Sequence, residues 1–552
     1  MRPIEVAAGA PLCLAHTDVG RVEAILARLR PGGEVDLRGT RLSADLLRRV
    51  LGGVRSEGTP VLGDANFTEA VFADDADFGR TVFKGATRFH GARFERTAHF
   101  DEAVFEGDVT DFRVARLRQA AFRWARFDAD VDFSDAVFHG ATVFADAEFQ
   151  GAARFAGARF RPNPGQPTTV SFTGAAFAGV ADFGRVWASD RVGVDFTGAS
   201  FASADQVGPL GAERVVVDRV VFGAAVTVEL LATAVSCVRT VFEQGVTLRL
   251  RYARANLERA SFAGPSSVIG DESGADTAFD PLPTARELDF DSGALADLVR
   301  RDRSDRPERL WAPSVTSLRG VDLTKLTVSD ADLSRAAFAG ASNIDKLRIE
   351  GRSRFARSPG HRVLSLRSRR QLLAEEVAWR VTRRRGAAWR KRAEEIGDEL
   401  RPPSPEALAT LYRSLRKAQE DSKNEPGAAD FYYGEMEMRR HAPSTLFGER
   451  VILTLYWLVS GYGLRATRAL LSLAVTVALA AVALHRFGFA APGLGFGASA
   501  VYTTGAAVSL EPKLFGTVVL TWPGELVRIL VRLCGPLFLG LALISVRNRV
   551  KR

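Results

Sequence analysis

The chain has 552 residues and a formal net charge of +9, with 25% charged and 46% hydrophobic residues. That length holds several domains, and the composition excludes general disorder. Cys13, Cys237 and Cys534 lie too far apart for a disulfide framework or a zinc knuckle, which fits a reducing compartment.

Residues 1–60 lack both an 18-residue apolar run and a signal peptide, and read as an N-terminal cap. Within them SADLLRRVL (43–51) reads as a short helix capped by Ser43.

From residue 61 the sequence is periodic. Between Phe67 and Phe160 a bulky apolar anchor recurs eighteen times, mostly at alternating steps of five and six; seventeen are Phe and one is Leu117. Two positions before each anchor stands Ala (thirteen times), Thr (four times) or Val131. Every fourth anchor lies 22 residues on in two series, Phe78, Phe100, Phe122 and Phe144, and Phe83, Phe105, Phe127 and Phe149, while Phe67, Phe89, Phe112, Phe133 and Phe155 drift by one and recover. A chain turning through four faces per coil stacks each anchor on its counterpart one coil away, with the small residues making room inside. Asp77, Arg88, Arg93, His99 and Asp111 then point outward. Residues 61–160 carry seventeen acidic and twelve basic side chains, so this surface is mixed and mildly acidic.

ANFTEAVF (65–72), AVFEGD (103–108) and ADLSRAAF (331–338) resemble the pentapeptide-repeat family. The resemblance implies a mainly β fold, a right-handed quadrilateral β-helix. Some members imitate DNA and protect gyrase, which needs a strongly acidic face; the mixed charge here argues against nucleic acid as a partner. Phe172, Phe177 and Phe183 continue the ladders after RPNPGQP (161–167), which reads as a loop bulging from one face. Phe196, Phe201, Phe222, Phe242, Leu257 and Phe262 read as degenerate units, and residues 263–315 as an insertion. Leu318, Leu323, Val328, Leu333 and Phe338 then supply the last coils of a β-helix spanning 61–350.

Residues 351–445 read as a basic helical linker. Its first part, 351–392, holds fourteen Lys/Arg against Glu375 and Glu376, a net +12. Attraction to an anionic inner leaflet accounts for that charge with less assumption than nucleic-acid binding. Ser404 and Pro405 start a helix with an apolar face of Leu408, Leu411, Tyr412 and Leu415. NEPG (424–427) breaks it, and AADFYYGEMEMRR continues as a second helix. The pair is either a packed linker or an αα-hairpin similar to a tetratricopeptide unit.

Residues 446–552 read as an interfacial helix plus a two-span membrane module. Val451 to Ser460 is too short to cross, and Tyr456, Trp457 and Tyr462 suit the headgroup level. Ala469 to Leu484 and Leu533 to Val546 are uncharged apolar runs; the second can extend back to Leu526. Arg465, Arg468 and the basic tail place both termini in the cytoplasm and the chain in the cytoplasmic membrane. The stretch from DFYYGEMEMRR to YWLVSGYGLRATRAL (430–470) resembles a C-terminal membrane module carried by some pentapeptide-repeat proteins. Residues 487–510 are uncharged and glycine-rich, and include Thr503 and Thr504. They form either an external loop grazing the bilayer or a re-entrant helix of the pore-loop kind, without the Thr-Val-Gly-Tyr-Gly ladder of a potassium filter. Arg528 and Arg532 share one helical face; they either snorkel outward or line an aqueous path or subunit contact, with Glu525 in reach of Arg528.

No nucleotide loop, nucleophile elbow or zinc spacing occurs, so no catalytic residue, metal or cofactor is expected, and no enzyme. The expected function is a membrane-anchored scaffold presenting its β-helix to an unidentified cytosolic protein, with the lipid bilayer and its anionic inner leaflet as second partner. The alternative is a homo-oligomeric channel or transporter with the β-helix as regulatory domain.

Overall fold

The computed structural model describes Glu23 and residues 26–163, 168–189, 191–270, 313–359, 370–383, 387–396, 402–490, 495–508 and 519–550. The chain divides into two compact units, Met1–Phe355 and Ala356–Arg552.

The first unit is a β-solenoid of short parallel strands. Val104–Phe105 pairs with Val82–Phe83 on one side and Arg126–Phe127 on the other, in register at the anchors. Such pairing stacks like on like. Phe78, Phe100 and Phe122 follow at centroid spacings of 5.1 and 4.8 Å, with rings 3° and 4° from parallel. The column starting at Phe83 runs unbroken through Phe105, Phe127, Phe149, Phe177, Phe201, Phe222, Phe242 and Phe262. Across the interior, Phe100 and Phe112 from facing columns meet edge to face at 90°, the arrangement aromatic quadrupoles favour. The residue two before an anchor is buried as well, for example Ala98, Thr110 and Val131.

The five/six alternation is two kinds of corner. Five-residue steps close by a hydrogen bond from the small residue's N–H to the preceding anchor carbonyl: Ala70 to Phe67 at 3.0 Å, Ala103 to Phe100 at 3.1 Å. The residue before the donor is left-handed, as at Glu69 (φ 58°), Glu102 (φ 58°) and Val114 (φ 59°). That is a type II turn. Two fives and two sixes make the 22-residue coil.

Coil strands begin before residue 61. Val35–Asp36 pairs with Ala65–Asn66, and Arg41–Leu42 with Val71–Phe72. Leu37 and Leu42 are buried where Phe would be expected, which hid these units from an anchor count. Helix α1 (Ala44–Gly53) is capped by Ser43, which accepts from Leu46 N–H at 3.3 Å. Beyond residue 205 two faces merge into eleven-residue strands, Gln206–Val216 and Val226–Ser236. Leu210 aligns with Leu230 and Val215 with Val235; β-branched and leucine side chains replace the Phe anchors. Ser266–Gly270 pairs with Leu326–Ser329, and Arg254–Asn256 with Ser314–Ser317. Both sides of the expected insertion therefore belong to coils, and 271–312 lie outside the described residues, as do 164–167 of the expected loop. Leu318, Leu323, Val328, Leu333 and Phe338 are buried.

The second unit opens with an antiparallel pair, Ala356–Arg357 and Gln371–Leu372. Helices α2 (Ala374–Arg383), α3 (Ala387–Ile396), α4 (Pro405–Asp421) and α5 (Glu425–His441) follow, then α6 (Phe447–Ser460), α7 (Ala466–Ala483), α8 (Phe496–Ala507) and α9 (Trp522–Val550). Ser404 caps α4 through Ala407 N–H, and Asn424 caps α5 through Gly427 N–H.

Candidate functional site

Two helical stretches, Ala466–Gly488 and Trp522–Arg547, are long and apolar enough to cross a membrane. At 1.5 Å per residue they measure about 35 and 39 Å. The second is longer than the uncharged run because it takes in Arg528 and Arg532, about 9 and 15 Å along α9 from Trp522. Arg528 pairs with Glu525 at 2.6 Å and stays one-third exposed; Arg532 is half-buried.

Between the spans the chain closes on itself. Phe489 bridges Leu520, and the Thr521 hydroxyl donates to Phe487 C=O at 2.7 Å. From that closure α8 packs against both spans. Its Ala506 and Ala507 join Ala480 of α7 and Val531 of α9 in one buried cluster. Gly535 is where the approach is closest: a Cβ there would stand 2.1 Å from Ala507 C=O. The tip of α8 thus lies about 20 Å along α9, near its middle. Small residues permit that contact, as in membrane helix packing generally. Thr503 is buried and its hydroxyl donates to Ser499 C=O at 2.6 Å; Thr504 is exposed and donates to Ala500 C=O at 2.8 Å. Helix α6 leaves Phe447, Ile452, Leu455 and Leu458 exposed.

The linker helices hold a buried ionic network. Glu376 is fully buried and accepts from Arg370, from Arg380 Nε at 2.6 Å and from the Tyr412 hydroxyl. Burial opposes its charged form, yet Arg370 and Arg380 hold the carboxyl down to about 2. Glu437 accepts from Arg380 at 3.3 Å, Arg440 at 3.0 Å and the Tyr462 hydroxyl at 3.2 Å. Arg370 and Arg465 flank the Tyr433 ring at 5.1 and 5.2 Å, and Arg440 and Arg468 flank Trp457 at 4.5 and 5.1 Å. The sequence reading missed this network. Its signal was two glutamates amid fourteen basic residues, with Glu376 and Arg380 four apart. Arg370 and Arg380 face inward, so they do not contribute to a membrane-facing charge.

On the solenoid, acids outside the phenylalanine core hold the coils in place, and Asp111, expected to point outward, is buried against Arg113. Asp111 accepts Arg113 N–H at 2.9 Å and Asp132 accepts Ser134 N–H at 2.8 Å, each bracing a corner. Asp64, Asp101 and Asp130 accept N–H groups 22 residues on, at Ala86, Arg123 and Ala152. Burial works against the Asp111 carboxylate, but its bonds to Arg113 hold it below the usual range. Burial and Arg161 push His139 down.

The family profile described as pentapeptide repeats matches in nine copies, over residues 89–137 and 122–163. The solenoid is built of pentapeptide repeats. Searches of curated proteins and of solved structures returned no match. The solenoid extends well beyond the matched stretch: the column from Phe83 runs on to Phe262, on strands that pair in parallel. The fold is typically structural rather than catalytic, and two helices long and apolar enough to span a membrane fit a membrane-anchored repeat protein.

Proposed function

We propose that the protein is a scaffold anchored to the cytoplasmic membrane, presenting its pentapeptide-repeat surface to a cytosolic protein. The carrying observation is the solenoid's construction: continuous phenylalanine columns inside and turn-bracing acids outside give a rigid surface that repeats every coil. The basic flanks of both spans support termini on the cytoplasmic side. The test is full-length protein carrying a photo-crosslinking residue at Arg88, Arg93, Asp132 or Arg154, expressed in its own membranes. One discrete adduct, lost when the label moves to another face, is expected. No adduct from any face, with the protein at the membrane, overturns the reading.

A second reading is favoured by α8. A helix packed against both spans, its tip beside Gly535 about halfway along α9, resembles a pore-loop unit. Several copies would be required to enclose a path. Purified oligomer in planar bilayers should then conduct, with selectivity altered by Arg532→Ala. A monomer in native membranes, or silent bilayers from folded oligomer, sinks it.

A further inference from the structure

The solenoid's surface charge is nearly balanced in total but is sorted by face. The face outside the column of Phe94, Leu117, Phe138 and Phe160 is basic. Its residues 93–96, 116–118, 137–139 and 159–161 hold six arginines and one glutamate, net +5 with His139 neutral. Arg93, Arg116, Val137 and Arg159 form one row in register across four coils, and His139 pairs in register with Arg161. Arg93, Arg96, Arg116, Arg118 and Arg159 are exposed and make no ion pair among the described residues. The single acid, Glu95, is taken by Arg41 at 2.9 Å. Burial and the nearby Arg161, Arg116 and Arg118 together push His139 below its ordinary value.

Two corners further round the same coils, on the opposite side, the face outside Phe105, Phe127 and Phe149 is acidic. Its residues 104–108, 126–130 and 148–150 hold five acids and one arginine, net −4. Val104, Arg126 and Glu148 form its row in register. Arg126 is bound by Asp128 at 2.5 Å, and Asp130 pairs with Arg154 at 2.9 Å. Glu106, Asp108 and Glu148 are exposed and make no ion pair among the described residues.

Both rows climb one coil at a time, about 4.8 Å per step. Two solenoids side by side, parallel and with coils level, therefore set Arg93 and Arg96 against Glu106 and Asp108. One coil on, Arg116 and Arg118 meet Asp128 and Asp130. Chains anchored in one membrane share that polarity. We propose that copies of this chain associate side by side, the basic solenoid face of one against the acidic face of the next. Such a contact is heterologous, so it continues into a ring or a row rather than ending at a pair. The inference rests on the membrane placement proposed above only for the shared polarity of the copies. A lipid surface or an acidic protein would use the basic face alone, so the acidic face separates those occupants from a second copy.

Two differently tagged full-length copies are co-expressed in membranes, solubilised in mild detergent at low salt, and the recovery of one with the other is measured. Wild-type copies should be recovered together, and the pairing should be lost at about 1 M salt, where charges are screened beyond about 3 Å. Arg116→Glu with Arg118→Glu in both copies should lower recovery by more than about tenfold, and so should Glu106→Arg with Glu148→Arg in both, because like charges then face each other. All four side chains are exposed, so the phenylalanine columns are untouched. One copy with the basic face reversed and one with the acidic face reversed should restore wild-type recovery. Absence of wild-type pairing, pairing that ignores either reversal, or a mixed pair that fails to recover overturns the inference. Loss on reversing the basic face alone, with the acidic face silent, overturns it in favour of an anionic lipid or protein. Intact, reversal-sensitive pairing by protein that is not in the membrane supports the inference and fails the membrane placement instead.

Discussion

Val114 is a β-branched residue held at φ 59° and nearly half exposed. Its place in the type II corner suits glycine, since a left-handed L-residue costs about 1–2 kcal/mol. Val114→Gly, which repays part of that through a floppier unfolded chain, should raise stability by about 0.5–1 kcal/mol in thermal melts. Phe100 is the opposite case, with no exposure and rings stacked on both sides. Phe100→Arg places an unpaired charge in the column and should cost more than about 4 kcal/mol, unfolding several coils. Arg88→Glu, on an exposed side chain, should stay within about 0.5 kcal/mol. Equal melts for the last two would reverse the inward and outward assignment. This division was legible from spacing alone, because a bulky residue every fifth or sixth position leaves no other periodic interior. The strained corners were not legible, since Glu69, Val114 and Trp124 share a backbone angle and no side-chain chemistry.

At the scale of elements, the Glu376 network ties α2 to α4 and, through Arg380 and Glu437, to α5. Removing one member leaves the others buried and unpaired, so Glu376→Gln should cost about 3–5 kcal/mol. The pH dependence has a definite sign. Glu376 has a folded value near 2 against an ordinary 4.5, so its contribution is complete above 4.5 and is lost as pH falls toward 2. Helical circular dichroism during acid titration checks this, and Glu376→Gln should flatten that part of the curve. Gly535 tests the α8 contact. Gly535→Leu drives a side chain into Ala507 C=O and should cost about 1–3 kcal/mol in detergent melts, whereas Gly540→Leu, with open space around it, should be near neutral. Helix α8 itself was ambiguous in sequence, because an uncharged glycine-rich stretch satisfies a surface loop and a packed half-helix alike.

For the whole molecule, the two units rest on different physics. Met1–Phe355 is held by apolar columns with most of its acids at the surface, and Ala356–Arg552 by a buried ionic core joined to apolar helices. Acid should therefore separate their unfolding: by scanning calorimetry the Ala356–Arg552 transition should fall further between pH 4.5 and 2 than that of the solenoid. The sequence by itself determined the solenoid, its 22-residue coil, the anchors and the two apolar helices, because each is a local period or run that needs no partner to be read. Only the tertiary structure decided that Arg370 and Arg380 turn inward and that α8 packs between the spans. Those facts depend on residues brought together from distant segments, and neither charge nor hydropathy along the chain records which neighbour each one meets.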